Sequence, residues 1–211
     1  MKRLLSIVLC MLCVNLFAQD DLLTVFNKAN ELGFIFEAKD KISFTTVIHT
    51  QHPKKQRELF DIAEAYFTYN YGKGDYVVQT KNTEQYYIIG KGIYSEFFKY
   101  TTHKLLGLRS EYDAEHIIRI DCKDSKIRVI ITIPRFISHN YNSDGLTGIY
   151  DTYLYQTRYP FSAPEKPDKL SRYEKEDFAM FKKLLRVIEN HFEQIEEAVN
   201  KGNSTLENQD W

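Results

Sequence analysis

The apolar positions of this chain change their period as it proceeds. In residues 20–32, Leu22, Val25, Phe26, Ala29 and Leu32 recur with a helical period, and Gly33 ends the run. Residues 42–50, ISFTTVIHT, are rich in β-branched and aromatic side chains and read as a strand. Pro53 then stands where a helix begins. Leu59, Ile62, Ala63, Tyr66 and Asn70 mark one face of that helix, which closes at Gly72.

From residue 75 the period drops to two. DYVVQT (75–80), EQYYIIGKGIYSEF (84–97), HIIRIDC (116–122) and KIRVIITIPRF (126–136) are strands, the last two joined by the tight turn Lys123-Asp124-Ser125. Ile127, Val129, Ile131 and Ile133 share one face while Arg128 and Thr132 take the other, as in a sheet with one buried side. Pro134 places the far end of this strand at an edge or a bulge. Gly90 and Gly92 share a strand face and leave room there for the helix at 53–71.

Residues 138–170 are aromatic and turn-rich, with Pro160, Pro164 and Pro167. Ser171-Arg172-Tyr173-Glu174 is a capping box that starts a last helix. Along it Phe178, Phe181, Leu185, Ile188, Phe192, Ile195 and Val199 form one apolar stripe. Such a stripe serves either as a coiled-coil seam or as the cover of a sheet, and the strands' apolar face needs a cover. Glu174, Glu176 and Asp177 read as its solvated first turn, placed to suit the helix dipole. The fold class is α+β: an antiparallel β-meander sheet packed by helices on one face, with a long C-terminal helix.

FTTVIHTQHPKKQRELFDIAEAYF, the IIGKGIY strand and HIIRIDCKDSKIRVIITI, together spanning residues 42–136, resemble a family of exported Gram-negative bacterial domains of unknown function with a TBP-like fold. These are packing and turn patterns, and the resemblance implies the fold without implying catalytic residues. The name of the fold does not imply DNA binding, which needs cationic residues facing phosphates.

The ends of the chain set the compartment. Lys2 and Arg3 precede the apolar run Leu4–Phe17, and Ala18 offers a small residue for cleavage. That run covers 14 residues, short of the roughly 20 a membrane-spanning helix needs. Neither Cys10 nor Cys13 follows a small residue, as a lipoprotein signal requires. Removal of residues 1–18 as a signal peptide leaves 193 residues and takes the formal charge from −1 to −3 with the loss of Lys2 and Arg3. The mature chain then has no basic excess for nucleic acid and no transmembrane segment. Cys122 stays as its one thiol, so no internal disulfide forms. The organisation expected is a signal peptide (1–18), an N-terminal helix (19–39), a TBP-like core (40–137), an aromatic insert (138–170), a C-terminal helix (171–201) and a disordered tail (202–211).

Candidate chemistry is sparse. NYNSDGLTGIYD, residues 140–151, places Asn140, Asn142, Asp144 and Asp151 at positions one, three, five and twelve of a calcium loop, with Gly145 at six. Weak structural calcium is the most these ligands support, since two are uncharged. The competing reading is a hairpin around Asp144-Gly145. His49 and His52 lack a third ligand nearby. Cys122 shares a face with Ile118 and Ile120, as a buried and inert thiol does. No GxSxG elbow or HExxH helix occurs. Tyr141, Tyr150, Tyr153, Tyr155, Tyr159 and Phe161 crowd the insert. Rings with a polar tip suit a glycan, peptide or amphiphile, and equally an insert's own small core. Tyr150, Tyr153, Tyr155, Tyr159 and Phe161 are the candidate ligand contacts.

The function expected is an exported, non-enzymatic binding or envelope-assembly module with an unknown ligand or envelope protein as partner. Its place is the periplasm or the outer membrane. The alternatives are a small hydrolase whose site assembles only in three dimensions, and a structural protein that oligomerises through the last helix.

Overall fold

The computed structural model describes residues 24–36, 41–71, 77–103, 106–152 and 172–201. A helix over residues 24–31 (α1) leads through Gly33 into β1 (Phe34–Phe36) and β2 (Ile42–His49). α2 (Gln56–Tyr71) follows, then β3 (Val77–Asn82), β4 (Tyr87–His103), β5 (Leu108–Lys123), β6 (Lys126–Asn142) and β7 (Gly145–Thr152), and last α3 (Arg172–Lys201). The seven strands form one antiparallel sheet in the order β1-β2-β6-β5-β4-β3, with β7 added to β6. The meander, the covering helices and the long last helix agree with the sequence reading.

α2 starts three residues after Pro53 because its cap comes from across the fold. The Gln56 backbone N–H donates to Asp124 Oδ1 at 2.8 Å, from the β5–β6 turn. Leu59, Ile62, Ala63 and Tyr66 are buried as their spacing predicts, and Phe60 and Phe67 join them. That wider arc follows from packing against both the sheet and α3.

β6 is the spine of the sheet. β5 lies along its whole length, from Lys123↔Lys126 to Arg109↔Tyr141. On its other side, Lys126 to Ile133 pair with β2, and Phe136 to Asn142 pair with β7. Pro134, which has no N–H to offer a ladder, sits where the partner changes. There the β5–β6 register passes from Ile117↔Thr132 to Glu115↔Arg135, so Ile133 and Pro134 stand opposite His116 alone. This bulge shifts the phase: Ile127, Val129, Ile131 and Ile133 face the core before it, Phe136 and Ser138 after it. The part of the expected insert up to residue 152 is therefore sheet. β6 runs on to Asn142 and returns as β7, because alternation resumes after the bulge.

The helices cover one face. Phe181, Leu184, Leu185, Ile188, Phe192, Ile195, Ala198 and Val199 of α3 are buried in its own chain. The stripe that an oligomer seam requires is thus spent inside the fold. The opposite sheet face is open and carries rows of paired charges. Arg119 and Arg128 reach Asp121 at 2.7 and 2.8 Å, and Arg135 reaches Glu115 at 2.6 Å and Asp151 at 3.0 Å. Lys99 and Arg109 both approach Glu111 at 3.4 Å.

Candidate functional site

Beyond the bulge, the helix side of the sheet collects polar groups where α3 begins. On β5 and β6, Ser110 pairs with Asn140 and Tyr112 with Ser138. The Ser110 hydroxyl donates to Asn140 Oδ1 at 2.7 Å, and the Ser138 hydroxyl donates to the same oxygen at 3.2 Å. Tyr112 donates its hydroxyl to Glu176 Oε1 at 2.5 Å. Burial, then the Glu176 carboxylate, holds the Tyr112 phenol well above its ordinary range, so it remains a proton donor.

Glu176 was expected in solvent and is only 7% exposed. Its position near the start of α3 suits a carboxylate electrostatically, but it is the fold that turns it inward, onto a tyrosine 64 residues away in sequence. A hydrogen bond to a charged group contributes about 1.5–3 kcal/mol. Tyr112→Phe is expected to lower stability by about 2 kcal/mol in urea unfolding. An unchanged midpoint would mean that the pair does not form in solution.

Tyr150 borders this cluster. It pairs with Ser138 on the edge strand β7 and is 59% exposed. Its ring folds back over Gly148, where an added Cβ would lie 2.5 Å from ring carbon Cε2. The absent side chain leaves room for the ring, and Tyr150 and Gly148 stand opposite Ser138 and Asn140 in the ladder. Tyr153, Tyr155, Tyr159 and Phe161 lie outside the described residues.

The four calcium-loop residues do not gather round one point. Residues 140–151 form a hairpin turning at Ser143 and Asp144. Asn140 pairs with Gly148 and Asp151 with Ile137, three strand positions apart, or about 10 Å. Asn140 turns its oxygen to the serines on the helix side, while Asp151 binds Arg135 on the open side. Asn142 Oδ1 accepts the Asp144 N–H at 2.8 Å, and Asp144 Oδ1 accepts the Ser143 hydroxyl at 3.3 Å. His49 and His52 are both exposed. Among the described residues, no three His, Cys, Asp or Glu side chains converge as a metal site would require.

Cys122, Ser110 and Ser138, among the described residues, are likewise kept apart from a base. Cys122 is buried, and burial pushes its thiol up to about 12. A His–carboxylate pair does form, His139 Nε2 to Asp113 Oδ2 at 2.9 Å. It stands on the open face, while Ser110 and Ser138 are on the helix side, donating to an amide oxygen that cannot act as their base.

The family model described as a domain of unknown function (DUF4468) with TBP-like fold matches residues 44–136. Over these residues the chain is similar to that family. Two solved structures share the architecture. A TBP-like protein from Parabacteroides distasonis superposes with a TM-score of 0.55 at 12% identity, over 77% of this chain and 95% of its own. A DUF4468 family protein from Bacteroides ovatus gives 0.50 at 13% identity, over 74% and 84%. No curated protein matches in sequence. The DUF4468 match ends at the residue where β7 pairing begins. The candidate site thus draws Ser110 and Tyr112 from the matched residues, and Ser138, Asn140, Tyr150 and Glu176 from the chain beyond them. No helix among the described residues is long and apolar enough to cross a membrane.

Proposed function

We propose that this protein is an exported, non-enzymatic binding module that takes a neutral, hydroxyl-rich ligand such as a glycan beside Tyr150. The basic, apolar and small-residue order of residues 1–18 supports export to the periplasm or the outer membrane. The observation that carries the binding reading is the exposed Tyr150, paired with Ser138 on the edge strand one position from the Asn140–Ser110 hydrogen bond. A flat aromatic face stacks on a sugar ring, and neutral hydroxyl and amide groups exchange hydrogen bonds with its hydroxyls. Binding without turnover fits serines that lack an adjacent base. Nucleic acid is a poor partner for the open face of the sheet: there a phosphate would compete with Asp121, Glu115 and Glu111 for arginines and lysines already paired to them.

The test is a glycan array probed with the purified protein and with Tyr150→Ala. Retention on a defined set of glycans, reduced about tenfold in the variant, is the expected result, since an aromatic contact contributes about 0.5–1.5 kcal/mol beyond the area it buries. Retention indifferent to Tyr150 would remove the site, and release of glycan fragments would replace the binding module with a hydrolase.

A further inference from the structure

At one end of the open sheet face, basic side chains stand in a row across β2, β6 and β5. His49 pairs with Lys126, and Lys126 pairs with Lys123. All three are exposed. Strand parity puts them on the side that carries Val47, Arg128 and Asp121, which form the next row along the same strands. A recess of about 210 Å³ opens here, lined by Val47, Asp121, Lys123, Lys126, Ile127 and Arg128.

The carboxylates nearest these lysines are engaged elsewhere. Asp121 holds Arg119 and Arg128 at 2.7 and 2.8 Å. Asp124, in the turn between the two lysines, accepts the Gln56 N–H at 2.8 Å and lies 3.8 Å from the Lys55 ammonium. Among the described residues, neither Lys123 nor Lys126 forms an ion pair. Yet like charges directly opposite each other in an antiparallel ladder are destabilising. The fold pins the turn that brings them together. Thr50 N–H donates to the Ser125 carbonyl at 3.0 Å, and Ser125 N–H to the Lys54 carbonyl at 2.9 Å. Gln56 Nε2 donates to the Cys122 carbonyl at 2.7 Å. Two lysines without a counter-charge are thus held at a recess by a fixed backbone, which lowers the cost of binding an anion there.

We propose that this recess is a binding site for a phosphate monoester, with Lys123 and Lys126 supplying the charge. A phosphate monoester carries about −1.5 to −2 at pH 7, which matches the two lysines and offsets their repulsion. Lysine binds phosphate as a point charge, so the pair attracts the group without fixing its oxygens. Orientation comes from Arg128. It spends Nε and Nη2 on Asp121, which leaves Nη1 to donate to a phosphate oxygen. Val47, 50% exposed, offers an apolar surface to the organic part of the ester. Two lysines at one corner make a point site. The charges farther along the face are paired with each other, so no track follows for a phosphodiester chain. The recess lies on the face opposite Tyr150 and stands independently of the glycan reading.

Titration of the purified protein with glycerol 3-phosphate at constant ionic strength tests the site, read by amide and lysine resonances. Saturable shifts centred on His49, Lys123, Lys126 and Arg128 are expected, with sodium chloride as the blank. Lys123→Gln and Lys126→Gln should each weaken binding about tenfold. Each should also keep or raise the urea midpoint, because it removes one member of a like-charge pair. Lys41→Gln takes the same charge from an exposed lysine at the opposite end of β2 and should bind as the wild type does. Vesicles of phosphatidic acid, set against phosphatidylglycerol, separate the sources of the ligand. Binding of free glycerol 3-phosphate marks a soluble monoester, binding to phosphatidic acid alone marks a lipid headgroup, and either upholds the site. No saturable binding of either probe, an equal loss in Lys41→Gln, or full retention when both Lys123 and Lys126 are changed would overturn it. A marked fall in the urea midpoint of both single variants would also overturn it, since the lysines would then serve the fold.

Discussion

Phe181→Ala is expected to destabilise the protein by about 3–5 kcal/mol, the usual range for removing a buried aromatic ring from a core. Phe181 is fully buried, and its ring meets Phe34 of β1 edge-on at 5.3 Å. Phe34 in turn packs on Phe44 of β2 at 5.5 Å. Truncation would open a void where α3, β1 and β2 meet, and backbone elements fixed by other contacts cannot collapse to fill it. Domains of this kind hold about 5–15 kcal/mol in total, so one substitution spends a large part of the margin. Urea unfolding measures the loss, and Phe181→Leu, which keeps most of the apolar volume, should lose less. A change below about 1 kcal/mol in the alanine variant would mean that α3 does not seat on β1 in solution.

Gly33→Ala is expected to cost about 3 kcal/mol or more, for two reasons that can be separated. Gly33 has φ +65°, a left-handed conformation that costs an L-residue about 1–2 kcal/mol. A methyl group there would also lie 2.1 Å from the Thr45 carbonyl oxygen. That oxygen is backbone, held in β2, and Thr45 N–H donates to the Gly33 carbonyl at 3.1 Å. Relief of the overlap therefore has to pull the α1–β1 corner away from β2. Gly145→Ala is the control. It too has positive φ, +124°, but an added Cβ meets nothing within 4 Å. If both variants lose the same stability by thermal or urea unfolding, the contact with Thr45 contributes nothing and backbone strain explains the effect.

The elements legible in the sequence are those whose partners are set by local period. α3 was visible because Phe181, Leu185, Ile188, Phe192 and Ile195 keep one helical face, and β6 because Ile127 to Ile133 alternate. Pro134 marked the bulge, since a residue without an N–H has few places in a sheet. Glu176 was misplaced because a carboxylate early in a helix normally faces water, and the residue that draws it inward, Tyr112, has no local relation to it. β1 was missed because three residues give no period to recognise. His116 shares parity with Ile118, Ile120 and Cys122, and His191 falls in the stripe between Ile188 and Ile195, so the period alone puts both on covered faces. A histidine in phase with a buried face is worth marking even when no second ligand stands nearby. The candidate site itself was visible only as a crowd of tyrosines, because its geometry depends on which of two sheet faces each residue takes after the bulge.

The change of partner along β6 has a consequence for how such a chain can vary in length. Past Pro134 the sheet is carried by β4, β5 and β6 with β7 at its edge, and β1, β2 and β3 take no part. Insertions or deletions there leave those outer strands undisturbed. Strand parity restricts them to steps of two residues per strand, since a single insertion turns every later side chain to the opposite face unless a bulge absorbs it. The arm bearing Tyr150 can therefore lengthen or shorten by whole pleats, carrying its aromatic face nearer to or farther from the helices while the core beneath keeps its register.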